Sequence, residues 1–351
     1  MAAKIRPTIP PLASLAAIAV QAKPEESIHT FLSQKGLEAY LETSSAHIQR
    51  KVDGLLLPHE ETLQERNIAV LVTGSDARNE KVDGRSSPLQ FLFATNEGVT
   101  EADLALFTSA CPDVMGVDPR FEVKGEIPKE AKLEWKEGYC RTMGKLIPQR
   151  FLNSRVVVGR EESIDAANRQ FIIAVKALNT KDRKKCRTEY IKGALRLLRV
   201  AINDDGTKGV DLKRGVAIFD NKNQKGTKYP VLRAFQYPVE MAIVVAVYHL
   251  PIEEGLHLLK TKPDSLPERI DFCITKGLLK GISPDDAAHL KATYYKSLVI
   301  HHTSQLVFQS LGGDKTVELR IPRMEEYREA LTRAVTILSG MTITHLDNFK
   351  G

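Results

Sequence analysis

The hydrophobic periodicity of this chain changes in one place, and that change limits the fold more than anything else in the sequence. Only residues 67–125 read as strand-rich, whereas nearly everything after Pro128 reads as helix. "NIAVLVTG" (67–74) is a β-branched run ending in glycine, and "LQFLFAT" (89–95) is a second short apolar run. "FEVKG" (121–125) alternates apolar and charged residues, the pattern of a strand with one solvated face. Between the second and third runs, Thr100 can cap a helix whose first turn holds Glu101 and Asp103. Strand–turn–strand–helix–strand is a small α/β unit, and one such unit set in helical sequence predicts an α+β chain.

Around that unit the chain divides readily. At 351 residues it suggests about two domains of roughly 150 residues. Residues 1–24 are rich in Pro and Ala and read as an arm, and Glu25 to Arg66 follow a broken helical pattern. After Pro128, "ESIDAANRQFIIAVKAL" (162–178) is amphipathic with Ser163 as its expected cap. "KDRKKCRTEYIKGALRLLRVAI" (181–202) carries a basic run into a further helix. A solvated helix face explains that run better than a nucleic-acid contact, because few aromatic residues interleave. A long polar interval (203–230) interrupts the helices, and ordered loops of that length are often functional. Four further helical stretches follow, the first being "VLRAFQYPVEMAIVVAVYHL".

The net charge of +6 comes from 50 basic and 44 acidic residues spread over most of the chain. A phosphate-bearing ligand suits that balance, and so does simple solubility. Cys111, Cys140, Cys186 and Cys273 form no CxxC pair, which argues against a zinc site or disulfide scaffold and for a reducing, cytoplasmic setting. No apolar run approaches the ~18 residues of a membrane span. "IPPLASLAAIAV" (9–20), after Lys4 and Arg6, weakly resembles a signal peptide but lacks a cleavage site, so an arm is the expectation and export the alternative.

Chemistry concentrates in "LVTGSDARNEKVDGRSSPLQFLFAT" (71–95). Gly74-Ser75 after a buried strand sets a bare backbone and a hydroxyl where a phosphate can approach, since glycine has no Cβ in the way. Arg78 and Lys81 add positive charge, and Glu80 is placed either to orient Arg78 or to hold the turn. Lys213 and Arg214 in the polar interval are candidates to reach the same phosphates, and Arg233 and Gln236 to face a cleft. His301 and His302 have no acid at metal-binding spacing, so a packing or hydrogen-bonding role outweighs catalysis. No GxSxG, HExxH or P-loop pattern occurs, which excludes the commonest serine hydrolase, zincin and P-loop readings.

The order Gly74-Ser75-x-Ala77-Arg78-x-Glu80, then Ser86-Ser87 opening a strand, resembles the nucleotidyltransferase superfamily. It is most similar to the N-terminal region of PII-protein uridylyltransferases and related bacterial proteins. "VDPRFEVKG" (117–125) matches that family's third metal-binding strand, with Asp118 as the acid. "PQRFLNSRVVVGREESI" (148–164) looks like the helix end that closes its domain. "VDLKRGVAIFD", "KYPVLRAFQYPVEMAI", "LPERIDFCITKGLL" and "YYKSLVIHHTSQ" resemble its later helical region, so the match spans residues 67–312.

The resemblance implies an N-terminal helical extension (1–66), a small mixed-sheet nucleotidyltransferase-like domain (67–160) and a larger all-helical substrate-binding domain (161–345). It further implies a nucleoside triphosphate bound by Gly74, Ser75, Arg78, Glu80 and Lys213, and Mg²⁺ on Asp118. The departure from the family lies at the Ser-Asp-x-Asp strand, which here reads Ser87-Pro88-Leu89-Gln90. Proline has no ligand atom, and a neutral amide is a poor substitute for a carboxylate at Mg²⁺. The expectation is therefore a nucleotide-binding relative with transfer activity reduced or lost. The alternative is an active Mg²⁺-dependent enzyme with an altered metal shell, modifying a protein or a small acceptor.

Overall fold

The protein's structure, a computed structural model, describes residues 46, 49–50, 53–54, 56–65, 68–73, 77–78, 80, 91–95, 152–203, 210–211, 215–219, 230–310, 317–321 and 323–350. These residues are mostly helical with small antiparallel sheets, an α+β arrangement.

Helix α1 (Glu60–Glu65) leads into β1 (Ile68–Thr73), the centre of a three-stranded sheet. The second expected strand is present as β2 (Phe91–Thr95), antiparallel to β1 with Ile68 opposite Thr95 and Val72 opposite Phe91. The third strand is β3 (Ser154–Val158), on the other side of β1 and also antiparallel, its register shifting between Val70 and Leu71. The segment expected to be a helix end is thus a strand. "SRVVV" is β-branched enough to extend as soon as a partner edge is available. The expected helix at 101 and strand at 121–125 lie outside the described residues, and the described sheet is antiparallel throughout.

Consecutive residues Ala69, Val70, Leu71 and Val72 are all buried, so β1 is covered on both faces, as a near-continuous apolar run requires. Gly159, just after β3, crosses β1 so closely that a Cβ there would lie 2.5 Å from Ala69 Cβ, and its φ is +147°. Only glycine fits both conditions.

Helix α2 (Glu161–Lys176) packs on β1 and β2 and joins the sheet to the helices behind it. Its N-cap is Arg160, not Ser163, which lies inside the helix. Helix α3 (Thr180–Arg187) is capped by Asn179, whose side chain accepts from the Asp182 amide. It continues through a π-helical turn (Thr188–Lys192) into α4 (Gly193–Asn203).

The polar interval holds two short strands, β4 (Val210–Asp211) and β5 (Val216–Phe219). Helix α5 (Pro230–His249) is the central one, wrapped by α2, α4, α6 (Ile252–Thr261), α7 (Leu266–Thr275) and α8 (Pro284–Ser310). Between α7 and α8 lies β6 (Leu279–Lys280). After α8 come β7 (Val317–Arg320), α9 (Met324–Gly340) and β8 (Thr342–Ile343). Strand β5 pairs with β4 and β7, and β6 pairs with β8, so the part expected to be all helical carries two small sheets.

Val231–His249 is, among the described residues, the one stretch long and apolar enough to cross a bilayer, and protein covers 89% of it. Its residues Met241 to Val247 are buried in succession, as expected of a core helix surrounded on all sides. Pro238 sits within α5 and donates no amide hydrogen to the preceding turn, which loosens the helix beside Gln236 and Glu240.

Candidate functional site

The end of the sequence motif meets the helices in a buried polar cluster. Arg78 and Glu80, just beyond β1, are 6% and 4% exposed, and Arg78 Nε donates to Glu80 Oε2 at 2.6 Å. Burial, the largest single influence, weakens the charged form of Arg78, yet Glu80 and its neighbours together outweigh this and raise its pKa above the ordinary value. Tyr294 of α8 and Glu240 of α5 act on it in the same direction. The glutamate therefore orients the arginine, as the sequence suggested, and both are turned inward.

A second buried chain of polar groups runs alongside. Asn153, immediately before β3, donates from Nδ2 to Glu240 Oε1 at 2.5 Å. Arg269 of α7, 1% exposed, donates from Nη1 to Asn153 Oδ1 at 2.7 Å and from Nε to the Pro263 carbonyl at 2.6 Å. Burial and the neighbouring Arg78 bring the Arg269 pKa down to about 10, against the pull of Glu240, Asp264 and Glu80. Two guanidiniums and two carboxylates thus neutralise one another where α5, α7 and α8 meet the sheet, as buried charge demands.

Unmet hydrogen-bonding capacity borders this cluster. Glu80 Oε1 and Arg269 Nη2 are buried with no hydrogen bond among the described residues, while Tyr294 lies within reach of Glu80 and Gln236 and His302 near the Glu80 backbone without well-formed bonds. Burial, then the Glu80 carboxylate, push the Tyr294 phenol well above its usual pKa, so it remains a neutral hydroxyl. Burial holds His302 well below its usual value and His301 at about 4, so both are neutral imidazoles at pH 7. Gln236 is buried on α5 within reach of Tyr294, while Arg233 is only half-buried.

Of the expected ligand-binding residues, the structure brings Arg78 and Glu80 together. Gly74, Ser75, Lys213 and Asp118 lie outside the described residues, as do Pro88 and Gln90. Glu240, Arg269, Tyr294 and Asn153 were not singled out from sequence. The available signal was a lone Glu in the most apolar helix and an Arg inside "LPERIDFCI", since isolated charges on apolar faces are rarely buried without a partner.

Within this cluster Glu80 is paired with Arg78 and Glu240 accepts from Asn153. No group of three acidic, imidazole or thiol side chains converges on a metal position among the described residues. Cys273 is buried and unpaired, its thiol pushed up to about 12 by burial, which makes it unreactive.

No protein-family model matches the chain, and no curated protein matches it at a significant level.

Proposed function

We propose that the chain is a nucleotidyltransferase-like protein that holds a nucleoside triphosphate between its small sheet and its helical layer, with transfer activity reduced or lost. The observation that carries this reading is the buried Arg78–Glu80 pair, which closes the strand-to-turn motif against α5 and α8. Gly74 and Ser75 fall between β1 and that pair in the chain, and a glycine and a hydroxyl at such a position suit phosphate binding, which needs close backbone approach more than flexible charge.

Reduced transfer follows from Pro88-Leu89-Gln90 in place of paired acids. Mg²⁺ would arrive with the triphosphate, where it neutralises oxygen charge. The chain's own contribution is to bind and orient the ligand, and a cytoplasmic setting is part of the reading.

Calorimetry with each of the four ribonucleoside triphosphates and Mg²⁺ tests the proposal. Binding of at least one is expected, weakened by Ser75→Ala and by Lys213→Ala. Absence of binding to all four would sink it. Incubation with labelled triphosphate and lysate separates the two enzymatic outcomes: robust labelling abolished by Asp118→Ala would replace the binding reading with an active transferase.

A further inference from the structure

A second group of cations gathers beside the polar cluster, where the loop between α6 and α7 passes the end of β3. Arg155 of β3 donates from Nη2 to Gln49 Oε1 at 2.9 Å, and its Nε, 3.9 Å from Asp264 Oδ2, is buried without a hydrogen bond. Arg269 uses Nε and Nη1 as described, and its Nη2 is buried with no partner. Lys262, half-buried in the α6–α7 loop, forms no ion pair among the described residues, although its ammonium lies in the fields of Arg269 and Asp264. All three cations act on Asp264. Three donors around this one carboxylate are under-used: Arg155 Nε, Arg269 Nη2 and the Lys262 ammonium.

We propose that Arg155, Lys262 and Arg269 form a phosphoryl-binding site between β3 and the α6–α7 loop. Guanidinium N–H groups without a partner and an ammonium without an ion pair, all set around the 262–264 loop, match the several oxygens of a phosphate better than a single carboxylate would. Arg269 ties this site to Asn153 and, through its field, to Arg78, so it adjoins the motif. The nucleotide reading above supplies one source for the phosphate, a triphosphate tail. An inorganic polyphosphate is the other.

Lys262 also predicts a pH signature. Burial, then Arg269, lower its pKa from the usual 10.5 to about 7, against the pull of Asp264. An anion beside it restores the proton, so binding takes up protons and tightens as pH falls from about 8.5 to 7, by on the order of ten-fold. The charged groups acting on Lys262 are Arg269 of α7 and Asp264 of its own loop, and Arg155 of β3 and Glu268 of α7 act in turn on Asp264. Asp264→Asn removes the one neighbouring carboxyl that burial shifts upward, and the slope is expected to persist in that variant.

The experiment titrates full-length protein with inorganic tripolyphosphate and, separately, with Mg²⁺-nucleoside triphosphate, by calorimetry at pH 7 and 8.5. Lys262→Met keeps the aliphatic stem and removes the charge. It is expected to weaken tripolyphosphate about ten-fold at pH 7 and to abolish the pH dependence, with an unchanged melting temperature. If that variant fails to fold, protection of Lys262 from an amine-reactive acylating reagent by tripolyphosphate is read on the wild type by mass spectrometry, and an unprotected Lys262 overturns the site. Equal affinity of wild type and Lys262→Met for both ligands overturns it as well. Tripolyphosphate binding that needs Lys262, without nucleotide binding, upholds the site and removes the nucleotide reading. Nucleotide binding indifferent to Lys262 does the reverse.

Discussion

Replacing Glu80 with Gln tests the buried pair that anchors the motif. The substitution keeps shape and volume, so no cavity term enters, and only the charge is lost. Arg78 then remains 6% exposed with its nearest anion gone. Stranding a buried charge typically costs about 3–5 kcal/mol. The lower end applies here, because Glu240 continues to act on Arg78 and partly compensates. A loss of about 3 kcal/mol is a large part of the ~5–15 kcal/mol that holds a domain together.

The assay is urea unfolding followed by far-ultraviolet circular dichroism, with the midpoint and slope fitted for four proteins. These are wild type, Glu80→Gln, Arg78→Met and the double variant Arg78→Met/Glu80→Leu. Exchanging both partners for apolar groups removes the stranded charge, so the double variant is expected within about 1.5 kcal/mol of wild type. The double variant is therefore expected to cost less than either single change, so the effects should be strongly non-additive. A Glu80→Gln loss under about 1 kcal/mol, or single effects that simply add, would refute the view that this pair is buried and mutually dependent.

Further predictions concern the frame around the site. Gly159→Ala drives a methyl into Ala69 and forces a φ of +147° on alanine, so a loss above about 2 kcal/mol is expected in chemical unfolding, partly restored by adding Ala69→Gly. Asn179→Ala removes the α3 cap and should lower stability by about 1 kcal/mol, read from the unfolding midpoint. Stability should fall as pH drops from about 6.5 towards 4. His301 and His302 take up protons more readily unfolded than folded, so the unfolded state binds more protons throughout that window. His301→Gln/His302→Gln should flatten the slope, and an unchanged slope would place those imidazoles in solvent.

Local patterns made several elements readable in advance. β1 and β2 are short β-branched or aromatic runs closed by turn residues, and α2, α5, α7, α8 and α9 follow helical spacing long enough to be unambiguous. β3 was misread because five residues carry too little periodicity to outweigh a neighbouring helical pattern, and what makes them a strand is the edge of β1, more than eighty residues earlier in the chain. β4 and β5 escaped for the same reason, since β5 lies in a polar interval and pairs with β7 about a hundred residues later. Ser163 looked like a cap because serine favours that role, but packing of α2 on the sheet moved the helix start to Glu161.

The site divides the same way. The sequence by itself determined a strand ending in Gly74-Ser75, an Arg78 and Glu80 at a spacing that lets them pair, and a chain in which helices outweigh strands. These are properties of neighbours in the chain, set by propensity and periodicity. Only the tertiary structure decided that Arg78 turns inward, that Glu240, Arg269 and Tyr294 act on it or on its neighbours from separate helices, that Asn153 before β3 links Glu240 to Arg269, and that Lys262 and Arg155 both lie by Asp264. A charge can be buried only where distant segments supply its counter-charges and hydrogen bonds together, and that placement is fixed by how α5, α7 and α8 pack on the sheet rather than by any stretch of residues read alone.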